Sequence, residues 1–469
     1  MSLMSLPLEV LEILFLHLEV EDLPSVLKVV GMEGSDSFWM KVCKREGFKK
    51  IPGEEEDWRD VFQRNINWIT ETYRKREYKF QKVSSKPTKV MIKDTVHGKH
   101  LLIKGTEDEV FILNLENDPE VVQKLSADYI QVSGSKLYTH ISSYSNIYSK
   151  KNNKYTKLVD LIPNPRCRLP LQYALSNDYL TVFEDNHRII WITDFSKLDQ
   201  FSVNLSHKVM PVSLFLQNAI LNVLVIEMNQ YAFKRFNLHS KEWMEDVVLF
   251  KGAALVADPN LYVSQDLIVG WCNIFVNRGI TPLKVWNCRG ELVKTLSVDF
   301  ITSFGPIKPM REPERILWII VESEHVIIST STKSLTIWNS RDPDMCKELP
   351  KSEYHYKGQC VISSFLLVLS YSHCFNVIDF KKAMYLYEVA LDIDHHNLST
   401  LFFTNEYFHI TLNKVPGTSE RYVFEEPMIE RSGQSQGHPS TSDGSSNKLK
   451  SETEYTICIY DFRGDISLK

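Results

Sequence analysis

Two groups of side chains in this sequence have types that could do chemistry. The run Asp392–His396 (Asp-Ile-Asp-His-His) brings together carboxylates and imidazoles, which are metal-binding groups. Adjacent residues of a strand point to opposite faces, so two neighbouring histidines rarely bind one ion, and an edge loop is the favoured interpretation. The second group, Trp191, Trp286 and Trp338, could form an aromatic cage for a ligand.

Motifs of catalytic and nucleotide-binding sites were sought along the whole chain. The sequence contains no Gly-x-Gly-x-x-Gly, no Gly-x-x-x-x-Gly-Lys-Ser/Thr and no His-Glu-x-x-His. No acid, base and nucleophile stand out as a set. The sequence therefore predicts a protein that is not an enzyme and has neither a metal site nor a cofactor.

The residues after about Thr88 are organised as short apolar runs separated by turn residues, which predicts an all-β region. A unit of two runs joined by a small or acidic turn recurs along it. Equivalent positions fall near Ile112, Ile147, Trp191, Arg235, Trp286, Trp338, Val377 and Ile459. Most spacings are close to the roughly 40–45 residues of a four-stranded propeller blade. We predict a β-propeller over 83–469 with eight blades, or seven, and a disordered Ser- and Gly-rich insertion at about 428–454.

The tryptophans occupy similar positions in this repeat. Side chains at equivalent positions of a propeller pack between blades, so Trp191, Trp286 and Trp338 are predicted to pack there rather than to hold a ligand. Tyr460 is assigned the same role in the last unit.

The N-terminal residues 1–50 are predicted to form a small helical module. Pro7 stands where a helix tolerates a missing amide donor, and Asp22 has the chemistry of an N-cap. Three short apolar helices are expected, and they have more apolar surface than so small a unit can bury alone. The module is therefore expected to bind a partner.

Residues 51–82 are predicted to be a helical linker. An acidic run at 54–57 precedes apolar residues at three- or four-residue spacing, which indicates a helix with one buried stripe. The basic cluster Arg74–Lys79 is expected to be the solvated end of that helix, where positive charge is favoured. The linker is expected to act as a stiff spacer.

The charge, the cysteines and the apolar runs of the sequence limit the kinds of function that it can have. The net charge is −5, which makes a broad nucleic-acid-binding surface unfavourable. The eight cysteines contain no Cys-x-x-Cys pair, a pattern typical of buried thiols in a reducing compartment. The early apolar run contains four glutamates and no stretch reaches membrane-spanning length without polar interruption. A soluble intracellular protein is expected, located in the cytoplasm or in both cytoplasm and nucleus.

The N-terminal pattern resembles an F-box over about residues 5–48. The matching features are Leu-Pro-x-Glu-x-Leu from Leu6, an aliphatic run ending at Leu18, then Asp22-Leu23 and Phe38-Trp39. The resemblance implies docking onto the Skp-type adaptor of cullin–RING ubiquitin ligases. The positions that match the family's contact or packing pattern are Leu6, Pro7, Leu8, Val10, Leu11, Ile13, Leu14, Leu18, Leu23, Val26 and Trp39. Leu8, Leu11 and Leu14 are the foremost candidates for adaptor contact.

The later hairpins resemble degenerate WD repeats, in which the third strand of a blade ends in Trp-Asp. Trp286-Asn287 and Trp338-Asn339 come closest to that pair, and Tyr460-Asp461 is a weaker version. Together the two resemblances imply an F-box/WD-repeat protein, which is a substrate-recognition subunit of a Skp–cullin–F-box ligase without catalysis of its own. Its partners would be the adaptor and a target protein, phosphorylated or not, with no nucleic acid and no membrane. The alternative is a WD-repeat scaffold with no ubiquitin ligase role, and a propeller enzyme is a distant third possibility.

Overall fold

The computed structural model has an N-terminal group of helices followed by many short strands. It describes residues 6–52, 54–84, 95–104, 109–127, 129–141, 144–151, 154–161, 173–184, 188–228, 230–251, 259–264, 266–271, 283–296, 316–322, 324–330, 335–349, 358–362, 366–370, 374–391, 401–414, 421–423 and 451–463. The predicted edge loop at Asp392–His396 lies outside the described residues, as do residues 428–450 of the predicted insertion.

Four helices come first in the described part of the chain. They are α1 (Leu8–Phe15), α2 (Leu23–Val30), α3 (Asp36–Glu46) and α4 (Trp58–Ile69). Ser35 caps α3 by accepting a hydrogen bond from the amide of Phe38 at 3.1 Å, and Asp57 caps α4 through the amide of Asp60 at 2.8 Å. Asp22 precedes α2, but its side chain makes no capping bond there.

The described strands form eight antiparallel sheets, numbered here in chain order. Sheet 1 contains β2 (Thr95–His97), β3 (His100–Lys104), β4 (Glu109–Asn114) and β5 (Glu120–Ser126); sheet 2 contains β6 (Tyr129–Ser133), β7 (Lys136–Ile141), β8 (Tyr144–Lys151) and β9 (Lys154–Leu161); sheet 3 contains β10 (Tyr173–Leu175), β11 (Tyr179–Glu184), β12 (Ile189–Asp194) and β13 (Asp199–Asn204); sheet 4 contains β14 (Met210–Gln217), β15 (Ile220–Glu227), β16 (Gln230–Asn237), β17 (Glu242–Trp243) and β18 (Val247–Lys251).

The second half of the β region repeats this order. Sheet 5 contains β19 (Asn260–Val263), β20 (Leu267–Trp271), β21 (Leu283–Asn287) and β22 (Leu292–Leu296); sheet 6 contains β23 (Ile316–Glu322), β24 (His325–Thr330), β25 (Leu335–Asn339) and β26 (Asp342–Leu349); sheet 7 contains β27 (Gly358–Ile362), β28 (Leu366–Ser370), β29 (Cys374–Asp379) and β30 (Met384–Ala390); sheet 8 contains β31 (Leu401–Thr404), β32 (Phe408–Lys414), β34 (Ser451–Asp461), β1 (Arg74–Ser84) and β33 (Arg421–Val423). Each of the eight repeat positions from the sequence lies in the third strand of a different sheet.

One local device recurs at the end of the third strand in seven of the eight sheets. An Asn or Asp side chain there accepts a hydrogen bond from the backbone amide two residues later, which forms an Asx turn into the fourth strand. These residues are Asn114, Asp194, Asn237, Asn287, Asn339, Asp379 and Asp461. The residue before each of them is buried. The Asn or Asp at this position therefore forms the turn between the third and fourth strands.

Apolar clusters join each sheet to the next. Sheets 1 and 2, 2 and 3, 3 and 4, 4 and 5, and 5 and 6 share clusters, and a larger cluster joins sheets 6, 7 and 8 to the helices. A further cluster joins sheet 8 to sheet 1, through residues such as Ile459 and Leu101. The shared clusters therefore connect each sheet to the next and connect sheet 8 back to sheet 1.

Strand β1 corrects the predicted boundary of the linker. The helix ends at Ile69, and the basic cluster Arg74–Lys79 belongs to β1, which pairs with β34 from Arg74↔Asp461 to Ser84↔Ser451. The prediction that this cluster ends a helix is wrong, because a distant strand supplies its backbone hydrogen bonds. Residues 451–454, predicted to be disordered, are likewise paired in β34.

Candidate partner-binding surface

Helix α1 buries one side of its surface inside the molecule. Leu11 and Phe15, one turn apart, are buried in the cluster that also contains Leu23, Trp39 and Val42 of the next two helices. Residues four apart lie on the same side of a helix, so this side is the intramolecular face of α1.

The opposite side of α1 is also apolar, but it faces solvent. Val10, Ile13 and Leu14 have the spacing of a single helix face, and they are 39%, 57% and 45% exposed. Leu8, at the start of the helix, is 48% exposed. A short helix thus presents four large aliphatic side chains to water. An exposed apolar cluster of this kind is a typical mark of a protein–protein contact.

A groove lies beside this face. It has a volume of about 510 Å³. Its lining consists of Leu6, Leu8, Leu11, Val30, Gly31, Met32, Glu33, Gly34 and Ser35. The groove therefore lies between the start of α1 and the segment that joins α2 to α3, and it extends the apolar surface beyond the helix itself.

The α2–α3 connection has a conformation that depends on glycine. Gly34 has a φ of +74°, and a Cβ atom there would lie 2.9 Å from the ring of Phe38. The Oε1 atom of Glu12 accepts a hydrogen bond from the amide of Ser35 at 2.8 Å, which ties this connection to α1. The indole of Trp39 donates to the carbonyl of Glu33 at 3.1 Å. The groove wall is thus held by backbone contacts from both sides.

The predicted site residues divide into three groups by exposure. Leu11, Leu23 and Trp39 are buried, Leu6, Leu18 and Val26 are half-buried, and Pro7, Leu8, Val10, Ile13 and Leu14 are exposed. Of the three foremost candidates, Leu8 and Leu14 face solvent, whereas Leu11 belongs to the intramolecular core. For Leu11 the burial fits the packing alternative of the prediction, because its side chain is covered by the other helices.

One exposed residue was not among the predicted contacts. Val29 of α2 is 81% exposed, although α2 otherwise buries Leu23 and Leu27. The three-residue and four-residue spacing of α2 could have identified it, since Val29 lies two residues from Leu27 and so faces away from it.

The helices are fixed on the sheets by polar contacts. The Nζ atom of Lys382, in the β29–β30 turn, pairs with Glu21 at 3.0 Å, and this hydrogen bond raises the pKa of Lys382. Its neighbour Lys381 donates to the carbonyl of Glu46 at 3.1 Å.

Burial raises the pKa of the Cys43 thiol to about 12, which makes it an inert core side chain.

Helix α4 contacts residues at the ends of strands of sheet 8. The indole of Trp68 stacks on Phe462 with ring centroids 3.5 Å apart and donates to the carbonyl of Glu406 at 2.8 Å. Asn67 Nδ2 donates to the carbonyl of Phe462 at 2.6 Å. The helix between the N-terminal helices and the strands is therefore packed against sheet 8.

The residues predicted to pack between blades are placed in two ways. Trp286, Trp338 and Tyr460 are buried and lie in clusters that join neighbouring sheets. Each immediately precedes the Asx residue of its turn. Trp191 is half-buried and lies three positions before Asp194, so it is not equivalent to the others.

The described residues contain no group of three or more His, Cys, Asp or Glu side chains placed to hold a metal ion. The sequence has one Gly-x-Ser-x-Gly match, Gly433–Gly437, which lies outside the described residues. Among the described helices, none has the length and apolar character needed to cross a membrane.

Comparisons with known proteins give no family assignment. The sequence matches no protein-family model and no curated protein. Among solved structures, the computationally designed Ika8 protein has a TM-score of 0.44 at 10% identity, covering 71% of this chain and 96% of its own. AztD from Citrobacter koseri has a TM-score of 0.44 at 10% identity, and the match covers 65% of this chain and 86% of the AztD chain. Hsv2 from Kluyveromyces lactis has a TM-score of 0.36 at 11% identity, and the match covers 61% of this chain and 91% of the Hsv2 chain. These similarities are too low to assign a function.

Proposed function

We propose that the eight sheets are the blades of a β-propeller with degenerate WD-type repeats. Three features support this fold: the consecutive strand order within sheets 1 to 7, six of which have four strands; the recurrent Asx turn; and the apolar clusters that return from sheet 8 to sheet 1. Pairing of β1 with β34 closes the last blade with a strand from the start of the β region. Such closure leaves only short edges for unwanted pairing.

We further propose that the chain is a substrate-recognition subunit of a Skp–cullin–F-box ubiquitin ligase. The observation that carries this proposal is the exposed apolar face of α1, formed by Leu8, Val10, Ile13 and Leu14. The buried face of the same helix is already occupied by Leu11 and Phe15. A helix that is apolar on both sides needs a second apolar surface to cover the exposed one.

The energy of adaptor binding would come from burial of this face. Each large aliphatic side chain contributes about 1.5–3 kcal/mol when it passes from full exposure to full burial. The four residues are already partly covered, so the gain per residue is smaller, and the groove beside them supplies further apolar contact. Association also costs translational and rotational freedom, which takes up part of this gain.

The β region would hold the target protein while the helices hold the adaptor. Because α4 and the Lys382–Glu21 pair fix the helices on the sheets, the two bound proteins would keep a defined separation. The protein would then promote ubiquitin transfer by proximity and orientation, without bond chemistry of its own.

Co-expression with a Skp-type adaptor followed by size-exclusion chromatography tests the proposal. The wild-type chain should co-elute with the adaptor, and the Ile13→Asp/Leu14→Asp variant should not. These residues are exposed, so the variant should keep its fold, as circular dichroism and thermal unfolding would show. Leu292→Asp is the matched control, because Leu292 is 53% exposed on β22 of sheet 5. That control should co-elute like the wild type.

Two results would count against the ligase role. If the folded wild type elutes without the adaptor, the chain is better described as a scaffold that uses α1 to bind another protein. If the wild type and the Ile13→Asp/Leu14→Asp variant both co-elute, the adaptor binds elsewhere and the α1 face is not its site.

A further inference from the structure

The segment between α3 and α4 lies across the ends of three sheets. We call residues 49–52 and 54–57 the strap. Along it, Ile51 is buried, whereas Pro52, Glu55 and Asp57 face solvent. Ile51 packs in the cluster that joins sheet 8 to sheet 1. The strap is thus an irregular segment with a few inward-facing side chains.

Glu54 is the polar inward-facing residue that reaches the sheets. Its carboxylate pairs with the ammonium of Lys150 on β8, and the two side chains are 4% and 1% exposed. Lys150 also donates to the carbonyl of His97 at 3.0 Å. The amide of Lys99 lies 3.4 Å from the same carboxylate. One side chain of the strap therefore contacts both sheet 1 and sheet 2.

The sheets are themselves joined around this carboxylate. The Nε2 atom of His97 donates to the carbonyl of Gly134 at 2.7 Å, and its Nδ1 atom accepts from the hydroxyl of Tyr155 at 2.8 Å. The Nδ2 atom of Asn405 donates to the carbonyl of Gly98 at 2.6 Å. Buried hydrogen bonds therefore connect sheet 8, sheet 1 and sheet 2 at the position where Glu54 enters.

Gly98 shows how closely the strap approaches the β2–β3 turn. Its φ is +58°, a backbone conformation that favours glycine, and a Cβ atom at this position would overlap the carboxylate of Glu54 where it now lies. The turn is shaped to receive the carboxylate.

Glu56 holds the other end of the strap on α4. It accepts from Nε of Arg64 at 3.2 Å, and the two side chains are 5% and 2% exposed. Arg64 also donates to the carbonyl of Lys49 at 3.1 Å, which closes the strap back on itself. The strap and α4 are therefore one unit, and Glu54 joins that unit to sheets 1 and 2.

We propose that the strap is a clasp, in which the charge of Glu54 holds the strap on sheets 1 and 2. A buried ion pair gains little over the cost of desolvating its members, but removal of one member leaves the other charge buried without compensation. Loss of the Glu54 charge would therefore expel the strap and expose Lys150 to water. The strands of both sheets keep their pairing, since their backbone hydrogen bonds do not involve the strap. This inference is independent of adaptor binding.

Hydrogen–deuterium exchange of the full chain tests the clasp. In Glu54→Gln, amides of the strap and of the β2–β3 turn should exchange faster by on the order of a hundredfold. Amides of β14–β16 in sheet 4 should exchange as in the wild type. Glu116→Gln is the matched control: Glu116 pairs with Lys99 at 2.6 Å on the same sheet, but both side chains are partly exposed. It should leave the strap unchanged.

A double variant separates release of the clasp from general loss of stability. Glu54→Gln/Lys150→Met has no uncompensated charge, so the strap should recover part of its protection. The proposal is overturned if the strap exchanges at the wild-type rate in Glu54→Gln, or if exchange rises equally in sheet 4. It is also overturned if neither variant folds, because the strap would then be a fixed part of the core.

Discussion

Helices α1 and α4 differ in a way that hydrophobicity alone does not explain. Six of the eight residues of α1 are apolar, yet only Leu11 and Phe15 are buried. Helix α4 carries many polar residues, and seven of its twelve residues are buried. The buried residues of α4 are Val61, Phe62, Arg64, Asn65, Ile66, Asn67 and Trp68. Burial follows the available partners, and α4 has them within this chain.

The buried polar residues of α4 each make side-chain hydrogen bonds, although Arg64 Nη1 and Asn65 Oδ1 have no partner among the described residues. Asn67 donates to Phe462 of sheet 8, Asn65 donates to the carbonyl of Val61 at 2.7 Å, and Arg64 pairs with Glu56. A hydrogen-bonded polar group can be buried without the large penalty of an unpaired one. Helix α1 has apolar side chains that the described residues leave exposed, which is the condition expected of a surface that meets another protein.

The largest test of this contrast is removal of the Trp68 side chain. Trp68→Ala should lower the free energy of unfolding by about 3–5 kcal/mol, because it empties the contact between α4 and sheet 8. Urea unfolding followed by circular dichroism would measure the change. Trp243→Ala, at a site that is 44% exposed, should cost less than about 1 kcal/mol. Equal losses in the two variants would mean that α4 is not an integral part of the fold.

The two faces of α1 can be compared directly with two leucines. Leu11→Ala should lower the free energy of unfolding by about 2–5 kcal/mol, since Leu11 is only 6% exposed. Leu14→Ala should stay within about 0.5 kcal/mol of the wild type. Thermal unfolding of the free protein would measure both. A large loss for Leu14→Ala would show that this chain covers the outer face of α1.

The pH dependence of stability should reveal the surface beneath α4. Burial lowers the pKa of His409 from 6.5 to about 3, and its ring lies 4.1 Å from Phe375, which contacts Trp68. The folded protein keeps His409 neutral, whereas the unfolded chain takes up a proton below pH 6.5. This contribution is complete above pH 6.5 and is lost as the pH falls toward 3, at about 1.4 kcal/mol per pH unit at most.

His409→Gln should therefore flatten the loss of stability on the acid side. Urea unfolding of wild type and variant at several pH values from 7 downward would give the two slopes. His97, whose pKa burial lowers to about 4, should supply part of the remaining slope in the variant. Identical slopes for wild type and His409→Gln would contradict a neutral buried His409.

The smallest expected effect concerns the β29–β30 turn, which contacts Glu21 and the end of α3. Asp379 accepts backbone hydrogen bonds from Lys381 and Lys382 at 3.0 Å each, and those lysines contact the helices. Asp379→Ala should cost about 1 kcal/mol. Asp379→Asn keeps an acceptor oxygen and should cost less. Equal costs for the two substitutions, measured by urea unfolding, would mean that the carboxylate does not act through this turn.

The sequence predicted the helices and the repeat better than it predicted their contacts. Three apolar helices in the first fifty residues, a further one after the acidic run and eight strand units were all predicted from local periodicity. Strand β1 was missed because its partner β34 is supplied by residues 451–461, and no local pattern marks such a pairing. The exposed face of α1 could not be separated from its buried face, since both are aliphatic and only packing distinguishes them.

The Asx turns were within reach of sequence reasoning. Asn and Asp recur after the third strand, and the Trp-Asn and Tyr-Asp pairs already pointed to that position. The burial of Arg64 beside Glu56 could not have been predicted from the sequence, because a charged pair on adjacent elements has the same sequence pattern whether it is buried or exposed.

The pairing of β1 with β34 has a consequence for synthesis on the ribosome. Residues 74–84 emerge early, but the strand that will lie along them is made only when residues 451–461 are translated. Until then β1 has a free edge, and the surface that Trp68 will cover is incomplete because Phe462 does not yet exist. The nascent chain must therefore carry β1 without this partner while all the residues between the two strands are translated, which is the interval in which a chaperone would be most needed.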